Sequence, residues 1–321
     1  MTVSKTTRVT QQTPRDHGGG IDEAIAKWGG TRDSWLDLST GINPVPYPIG
    51  DFPADAWTAL PDKDAQEDLL AAARTFWKVP DDLAILAAPG ASALIARIPA
   101  LAPAGRVDIP TPTYNEHAAA FEAQEWEVTS DAPDARVLVH PNNPTGRLWT
   151  SADLTAPTMV IDESFCDICP AASLVEEARK PGRIVLKSFG KFWGLAGARL
   201  GFAIGDPALV AKLADFIGPW AVSGPALRLG AQALRDEAWA SETRARLAEE
   251  AKRLDTLLEA KGARVVGGTD LFRLYDVDDA AVWQGKLARN HVWSRIFPYS
   301  KTYLRLGLPA PDRWAQLEAA L

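Results

Sequence analysis

The sequence predicts an α/β fold, in which a mostly parallel sheet is sandwiched by helices and a smaller α+β domain is attached. Between residues 84 and 205, short apolar runs rich in β-branched residues alternate with longer alanine-rich stretches of helical spacing. This alternation is typical of strand–helix units in a parallel sheet. Each apolar run ends in a cluster of Gly, Pro or polar residues, as strands do. Beyond about residue 224 the composition changes to Ala, Leu, Arg and Glu, which indicates a second structural unit.

The first unit contains six strand candidates and at least two helices. Helices are expected from Ala93 onward and over 116–124, and strands over 84–88, 106–109, 136–139, 158–161, 184–186 and 200–204. Ligands of open parallel sheets bind beyond the carboxyl ends of the strands. The polar clusters of this chain follow such ends, so clusters that are distant in sequence are expected to meet in one crevice.

The second unit reads as a small α+β domain. A long surface helix is predicted over 225–260, and another helix over 280–289. Strands are predicted over 264–266, 271–275, 291–297 and 303–306. The loop-rich first 45 residues are expected to pack on this unit. We therefore predict a large domain at 46–230 and a small domain formed by 1–45 with 231–321.

The composition excludes several classes of protein. The 321 residues include 34 basic and 41 acidic ones, for a net charge of −7, which argues against nucleic acid as a partner. No apolar run approaches the roughly 20 residues that span a bilayer. Residues 1–15 lack the apolar segment of a signal peptide. We therefore expect a cytoplasmic protein with no membrane partner.

The two cysteines and four histidines are too few for a disulfide framework, and no metal site is predicted. Cys166 and Cys169 form a CxxC pair. Such a pair is redox-active or metal-binding in some proteins, and a pair of small apolar side chains in others. The lack of a second Cys/His pair in the sequence favours the latter interpretation. The role of His140 stays open, and a histidine hydrogen-bonded near a strand end explains it at least as well as a functional one.

Lys191 is the candidate catalytic residue. It follows a predicted strand and is flanked by glycine and aromatic residues, with Arg199 eight positions later. Burial and a nearby cation both favour the neutral amine, which is the nucleophilic form. Such a lysine can form a Schiff base with a carbonyl compound.

The other polar clusters supply groups that complement an aldehyde-bearing, phosphorylated ring. They offer a carboxylate at a strand end, an amide on a tight turn, an aromatic face, and a predicted helix start with hydroxyl and guanidinium groups that suit a phosphate. The residues are Asp162, Asn143, Tyr114, Gly90, Ala91, Ser92, Ser188 and Arg199. Taken singly, Asp162 is also explained by a helix cap or a salt bridge, and the Asn143 turn by a simple β-turn. Together they match what pyridoxal phosphate requires of a protein.

The chain resembles fold-type I pyridoxal-phosphate enzymes of the class I/II aminotransferase superfamily. The ordered motifs PGAS, PTY, NNPTG, DES, SFGK and GLAGARLGF carry this resemblance across most of residues 40–205. It implies that Lys191 binds the cofactor aldehyde and later moves a proton, Asp162 pairs with the ring nitrogen, Asn143 bonds the ring oxygen, and Tyr114 stacks on the ring. It also implies a phosphate site made of Gly90, Ala91, Ser92, Ser188 and Arg199.

The resemblance extends to the substrate side. It implies that Arg305 grips the substrate carboxylate, that Asn43 lies in a loop closing over the substrate, and that His17 and Arg295 reach a substrate phosphate. It also implies that Tyr47 reaches the cofactor of a neighbouring subunit, as an equivalent tyrosine does in histidinol-phosphate aminotransferases. Members of this superfamily are usually homodimers, and we expect the same here. Phe165 stands where many aminotransferases carry tyrosine.

Within the superfamily the chain is most similar to the histidinol-phosphate aminotransferase branch and, more narrowly, to the threonine-phosphate decarboxylases of cobalamin synthesis. Segments 17–19, 38–44, 162–165 and 304–309 carry this narrower resemblance. It implies decarboxylation of L-threonine O-3-phosphate to aminopropanol phosphate. The alternative is transamination, as by a histidinol-phosphate aminotransferase, because the same residues serve both reactions. A cofactor-sensing DNA-binding regulator is a poor third interpretation, since the sheet domain begins too early for a winged-helix arm.

Overall fold

The computed structural model describes residues 16–321, so the predictions for residues 1–15 lie outside the described part of the chain. In chain order the strands are β1 (Leu36–Asp37), β2 (Ala84–Ala88), β3 (Arg106–Asp108), β4 (Glu127–Val128), β5 (Ala135–Val139), β6 (Thr158–Asp162), β7 (Arg183–Ser188), β8 (Gly201–Gly205), β9 (Arg264–Thr269), β10 (Phe272–Asp276), β11 (Val292–Trp293), β12 (Arg295–Phe297) and β13 (Ser300–Gly307). The helices are α1 (Ile21–Trp28), α2 (Asp55–Thr58), α3 (Lys63–Phe76), α4 (Ala91–Ile95), α5 (Glu116–Glu122), α6 (Pro207–Ile217), α7 (Gly224–Arg235), α8 (Glu237–Glu259), α9 (Ala280–Arg289) and α10 (Trp314–Ala320).

The large sheet has the strand order β2-β8-β7-β6-β5-β3-β4 within residues 16–321. Neighbouring strands from β7 to β4 pair in parallel, whereas β8 runs antiparallel to both β2 and β7. The reversed β8 therefore begins at the edge where the parallel strands end. This edge collects the strand ends that the sequence marks with polar clusters, and the predicted fold class is confirmed.

Both faces of the large sheet are buried. Along β6, Met159 and Ile161 belong to one apolar cluster and Val160 belongs to another, because successive side chains of a strand point to opposite faces. All five residues of β8 are buried. The strands are therefore apolar without alternation, as expected for a sheet that helices cover on both sides.

The C-terminal unit contains a four-stranded antiparallel sheet of order β12-β13-β10-β9, and the short strands β1 and β11 pair beside it. One apolar cluster joins this unit to the large sheet, since it includes both Ile161 of β6 and Phe272 of β10. The proposed domain boundaries at residues 46 and 230 stay a prediction.

Two predictions for the C-terminal unit are corrected. The single helix over 225–260 is wrong, because the chain leaves helical geometry at Asp236, whose side chain accepts a hydrogen bond from the Trp239 N–H and starts α8. The first piece, α7, is largely buried rather than a surface helix. The strand predicted over 291–297 is two strands, of which β11 pairs with β1 and β12 pairs with β13.

Candidate active site

Two adjoining cavities open at the carboxyl edge of the large sheet, and Lys191 lines both. The inner cavity has a volume of about 130 Å³ and is lined by groups that include Ala91, Ser92, Tyr114, Asn143, Asp162, Ser164, Phe165, Ser188 and Arg199. The outer cavity has a volume of about 990 Å³ and is lined by groups that include Asp16, His17, Ser92, Tyr114, Glu116, Asn143, Arg295, Tyr299 and Arg305. Most of the predicted site residues are therefore brought together from strand ends far apart in sequence.

Lys191 carries an amine that is easily made neutral. Its Nζ lies 5.2 Å from the centroid of the Phe165 ring. Burial, followed by the cationic Arg305, lowers the pKa of Lys191 to about 8 from an ordinary value of 10.5, although Asp162 opposes this change. The sequence indicated the direction correctly, but the structure adds Arg305 as a stronger cationic neighbour than Arg199.

The turn that carries Lys191 is fixed by aromatic packing on both sides. The Trp193 ring stacks on Phe189 at 5.2 Å and on Trp239 at 5.3 Å, with an interplanar angle of 12° in each case. The Trp193 indole N–H also donates to the Asp167 carboxylate over 2.9 Å. These contacts leave Lys191 little freedom of main-chain position.

Asp162 remains a carboxylate although it is 2% exposed. Burial alone would raise its pKa, but hydrogen bonds from His117 Nε2 at 2.8 Å and from Ser164 outweigh burial, so the pKa of Asp162 is lowered. His117 lies three residues after Tyr114 at the start of α5. The sequence analysis missed His117 and Ser164 as site residues, although this spacing from Tyr114 was a usable signal.

Hydroxyl and guanidinium groups gather at one end of the inner cavity. Ser92 lies in the first turn of α4, Ser188 ends β7, and Arg199 precedes β8. Gly90 has φ +85°, and a Cβ there would lie 2.5 Å from Arg199 Nη2. Glycine is therefore required at this position for the guanidinium to lie over the start of α4.

Arg305 is a buried cation without a carboxylate partner among residues 16–321. It is 3% exposed and donates hydrogen bonds to the Asn143 side-chain oxygen and the Ser39 carbonyl, while its Nε has no partner in the described part of the chain. Burial, and then the charge of Arg295, lower its pKa to about 9. Such a group is suited to receive an anion in the outer cavity.

Arg295 is the cross-strand neighbour of Arg305. The register of β12 and β13 places the two arginines directly opposite each other, and both line the outer cavity. Arg295 Nη2 donates to the Asp16 carboxylate over 2.8 Å. His17 lines the same cavity, with its Nε2 2.9 Å from Glu116 Oε1. Like charges at opposite positions oppose strand pairing, so this arrangement indicates a binding function.

Tyr114 lines both cavities, and its ring meets the His117 ring edge-on at a centroid distance of 6.1 Å. Burial raises the pKa of Tyr114 to about 12, so its hydroxyl stays protonated at neutral pH.

The structure does not bring Asn43 or Tyr47 to either cavity. The Asn43 amide donates to the Phe192 carbonyl over 2.8 Å and accepts from Arg246 over 2.7 Å, so it holds the turn that carries Lys191. Tyr47 is 4% exposed, and its hydroxyl contacts Asp236 over 3.3 Å. A role of Tyr47 at a neighbouring subunit stays a prediction.

His140 is hydrogen-bonded through both ring nitrogens. Its Nδ1 accepts from the Trp149 N–H over 3.0 Å, and its Nε2 donates to the Ala172 carbonyl over 2.7 Å. It lies within 4.8 Å of Glu163 and Cys166 atoms of metal-ligand type. The Glu163 carboxylate, however, holds the buried Lys187 ammonium over 2.5 Å. These contacts agree with a structural histidine.

Comparisons with known proteins give consistent results. A family model described as aminotransferase class I and II matches residues 129–320. The chain is 41% identical over 318 residues to a threonine-phosphate decarboxylase of Sinorhizobium sp, covering 93% of this chain and 94% of that protein. It is also 41% identical over 327 residues to a threonine-phosphate decarboxylase of Pseudomonas aeruginosa, covering 95% of this chain and 97% of that protein.

Solved structures share the fold at low sequence identity. The histidinol-phosphate aminotransferase from Sinorhizobium meliloti, in complex with pyridoxal-5'-phosphate, has a TM-score of 0.80 at 19% identity over 100% of this chain and 97% of that one. The L-threonine-O-3-phosphate decarboxylase from Porphyromonas gingivalis has a TM-score of 0.73 at 21% identity over 88% and 97%. Within residues 16–321, no helix has the length and apolar character needed to cross a membrane.

Proposed function

Because the chain belongs to the class I and II aminotransferases, we propose that it is a pyridoxal-phosphate-dependent enzyme that decarboxylates L-threonine O-3-phosphate. The identity of 41% to two threonine-phosphate decarboxylases, along almost the whole of each chain, supports the reaction. The match to histidinol-phosphate aminotransferase 3 of Mesorhizobium japonicum is weaker, at 25% identity over 316 residues.

The inner cavity fits the cofactor. Lys191 is available to its aldehyde, Asp162 is kept ionised for its ring nitrogen, and Tyr114 offers an aromatic face. The Gly90 backbone leaves the space in which Arg199 lies beside Ser92. When bound, pyridoxal phosphate supplies a ring that accepts the electron pair released at the substrate's Cα.

The two opposed arginines are the structural observation that supports a substrate with two anionic groups. Arg305 and Arg295 face one cavity from directly opposite positions on β13 and β12. Opposite residues on antiparallel strands have Cβ atoms about 5 Å apart. A small amino acid with a carboxylate at one end and a phosphate at the other would neutralise both cations, with Arg305 holding the carboxylate and Arg295 with His17 holding the phosphate.

The residues of the chain perform orientation and proton transfer. Arg305 orients the carboxylate so that the bond between Cα and the carboxylate carbon breaks, which releases carbon dioxide and leaves an electron pair at Cα. The Lys191 amine lies between the two cavities and, in its protonated form, delivers a proton to Cα. The product is then 1-aminopropan-2-ol phosphate.

The test is incubation of the cofactor-loaded protein with L-threonine O-3-phosphate. We expect carbon dioxide and aminopropanol phosphate in equal amounts, and neither product from a Lys191→Ala variant. Unphosphorylated L-threonine should be a much poorer substrate. Amino transfer from glutamate to a phosphorylated keto acid, without carbon dioxide, would instead support the aminotransferase alternative.

The product would serve as the aminopropanol unit of the corrin side chain in cobalamin biosynthesis, and the enzyme would act in the cytoplasm as a homodimer. Trp57 and Trp220 expose 70% and 62% of their surface, which supports a subunit interface. Light scattering of the loaded protein would test the dimer, since a monomer at micromolar concentration would contradict it.

A further inference from the structure

Asp16 is bound to Arg295, the cation proposed to hold the substrate phosphate. Its carboxylate and its main-chain carbonyl both accept from Arg295 Nη2, over 2.8 and 2.9 Å. The Asp16 carbonyl also accepts from the Asn115 side chain over 2.8 Å, which ties the segment to the start of α5. Asp16, His17 and Arg295 all line the outer cavity, so this contact lies inside the site.

The geometry of a guanidinium makes the two ligands competitors. A phosphate binds arginine most strongly through two parallel N–H donors, from Nη2 together with either Nε or Nη1. Both of these pairs include Nη2. Asp16 accepts both hydrogen bonds from that nitrogen, so a bidentate phosphate cannot bind Arg295 until Asp16 leaves.

Charge and exposure indicate that Asp16 can leave. The Arg295 side chain is 10% exposed, whereas that of Asp16 is 44% exposed. Burial lowers the pKa of Arg295, and Asp16 opposes this by supplying a negative charge beside it. The ion pair therefore compensates the buried cation when no ligand is present, and it is held by the more exposed partner.

We propose that Asp16 acts as an internal competitor for the substrate's phosphate at Arg295. A dianionic phosphate displaces the single carboxylate and takes both donors, whereas a substrate without a phosphate leaves the Asp16–Arg295 pair in place. This inference rests on the proposed function for the identity of the substrate, and on the structure for the competition itself.

The experiment uses the cofactor-loaded protein, in which the cofactor would take the inner cavity and leave the outer one to added phosphate. Binding of inorganic phosphate is measured by calorimetry, and the KM for L-threonine O-3-phosphate is measured alongside. Asp16→Ala should bind phosphate about fivefold more tightly and lower the KM by a similar factor, the size expected for one partly exposed ion pair. Asp16→Asn keeps an acceptor oxygen and should give a smaller change in the same direction.

Asp68→Ala is the matched control. Asp68 also pairs with an arginine, Arg235, and its side chain is 55% exposed, close to the 44% of Asp16, but it does not line either cavity. This variant should leave phosphate binding and KM unchanged. The inference is wrong if Asp16→Ala binds phosphate equally or more weakly, or if Asp68→Ala tightens binding as much. If no variant decarboxylates threonine phosphate but Asp16→Ala still tightens phosphate binding, the proposed function fails and the competition stands.

Discussion

The low pKa of Lys191 predicts how fast the chain captures an aldehyde at each pH. The difference between its ordinary pKa of 10.5 and the value of about 8 corresponds to ~3 kcal/mol against the charged form. At pH 7.5, roughly a quarter of Lys191 is then neutral, against about one in a thousand for an ordinary lysine. Since only the neutral amine attacks, the rate of aldehyde capture by Lys191 should increase with pH, with the midpoint of the increase at about pH 8.

The Arg305→Gln variant removes the nearby cation, which is the second cause, after burial, of the low Lys191 pKa. Its midpoint should lie above that of the unaltered protein. The assay exposes cofactor-free protein to pyridoxal phosphate between pH 6 and about 10, traps the adduct by borohydride reduction and quantifies labelled peptides by mass spectrometry.

Exposed Lys252 is the internal control of this assay. A hydrogen bond to Glu249 raises its pKa, so it should label only at higher pH. A Lys191 midpoint as high as that of Lys252, or one that Arg305→Gln leaves unchanged, would show that burial and Arg305 do not lower the Lys191 pKa.

Three further predictions concern groups around the site. Gly90→Ala should displace the Arg199 guanidinium and weaken cofactor binding at least tenfold, as measured by equilibrium dialysis. Unchanged affinity would contradict a phosphate site formed by Arg199 at the start of α4. Tyr47→Phe removes the hydrogen bond to Asp236 and should lower the free energy of unfolding by about 1 kcal/mol, with cofactor affinity unchanged. A decrease in cofactor affinity would instead support a role of Tyr47 at a neighbouring subunit. Lys187→Met leaves the buried Glu163 carboxylate without its cation and should lower the free energy of unfolding by about 3–5 kcal/mol, measured with denaturant. A decrease below ~1 kcal/mol would contradict a tight ion pair.

The sheet was predictable because its strands are short, apolar and followed by polar clusters. The predicted strand over 84–88 matches β2, and the other predicted strands of the large sheet differ from the observed ones by a few residues. The break at Asp236 was not predicted, because Ala, Leu, Arg and Glu favour helix on both sides and a single capping side chain decides the boundary. Helices α3 and α6 were also missed, although Asp62 and Asp206 cap their starts.

The cofactor side of the site was more predictable than the substrate side. Lys191, Asp162 and Asn143 follow strand ends, and strand order alone brings strand ends together. The opposition of Arg295 and Arg305 depends on the register of two strands, which no local pattern reveals. Asn43 and Tyr47 were assigned to the site by resemblance to the family. In the structure, Asn43 binds Arg246 and Tyr47 binds Asp236, and such long-range contacts have no signature in a single sequence.

The reaction proposed for this site removes the carboxylate of a phosphorylated amino acid. The most direct measurement follows L-threonine O-3-phosphate labelled with ¹³C in its carboxylate, by NMR in deuterated buffer with the cofactor-loaded protein. We expect the label to appear as bicarbonate and one deuterium to be incorporated at the former Cα. Label retained in a phosphorylated keto acid, with the amino group transferred elsewhere, would contradict it.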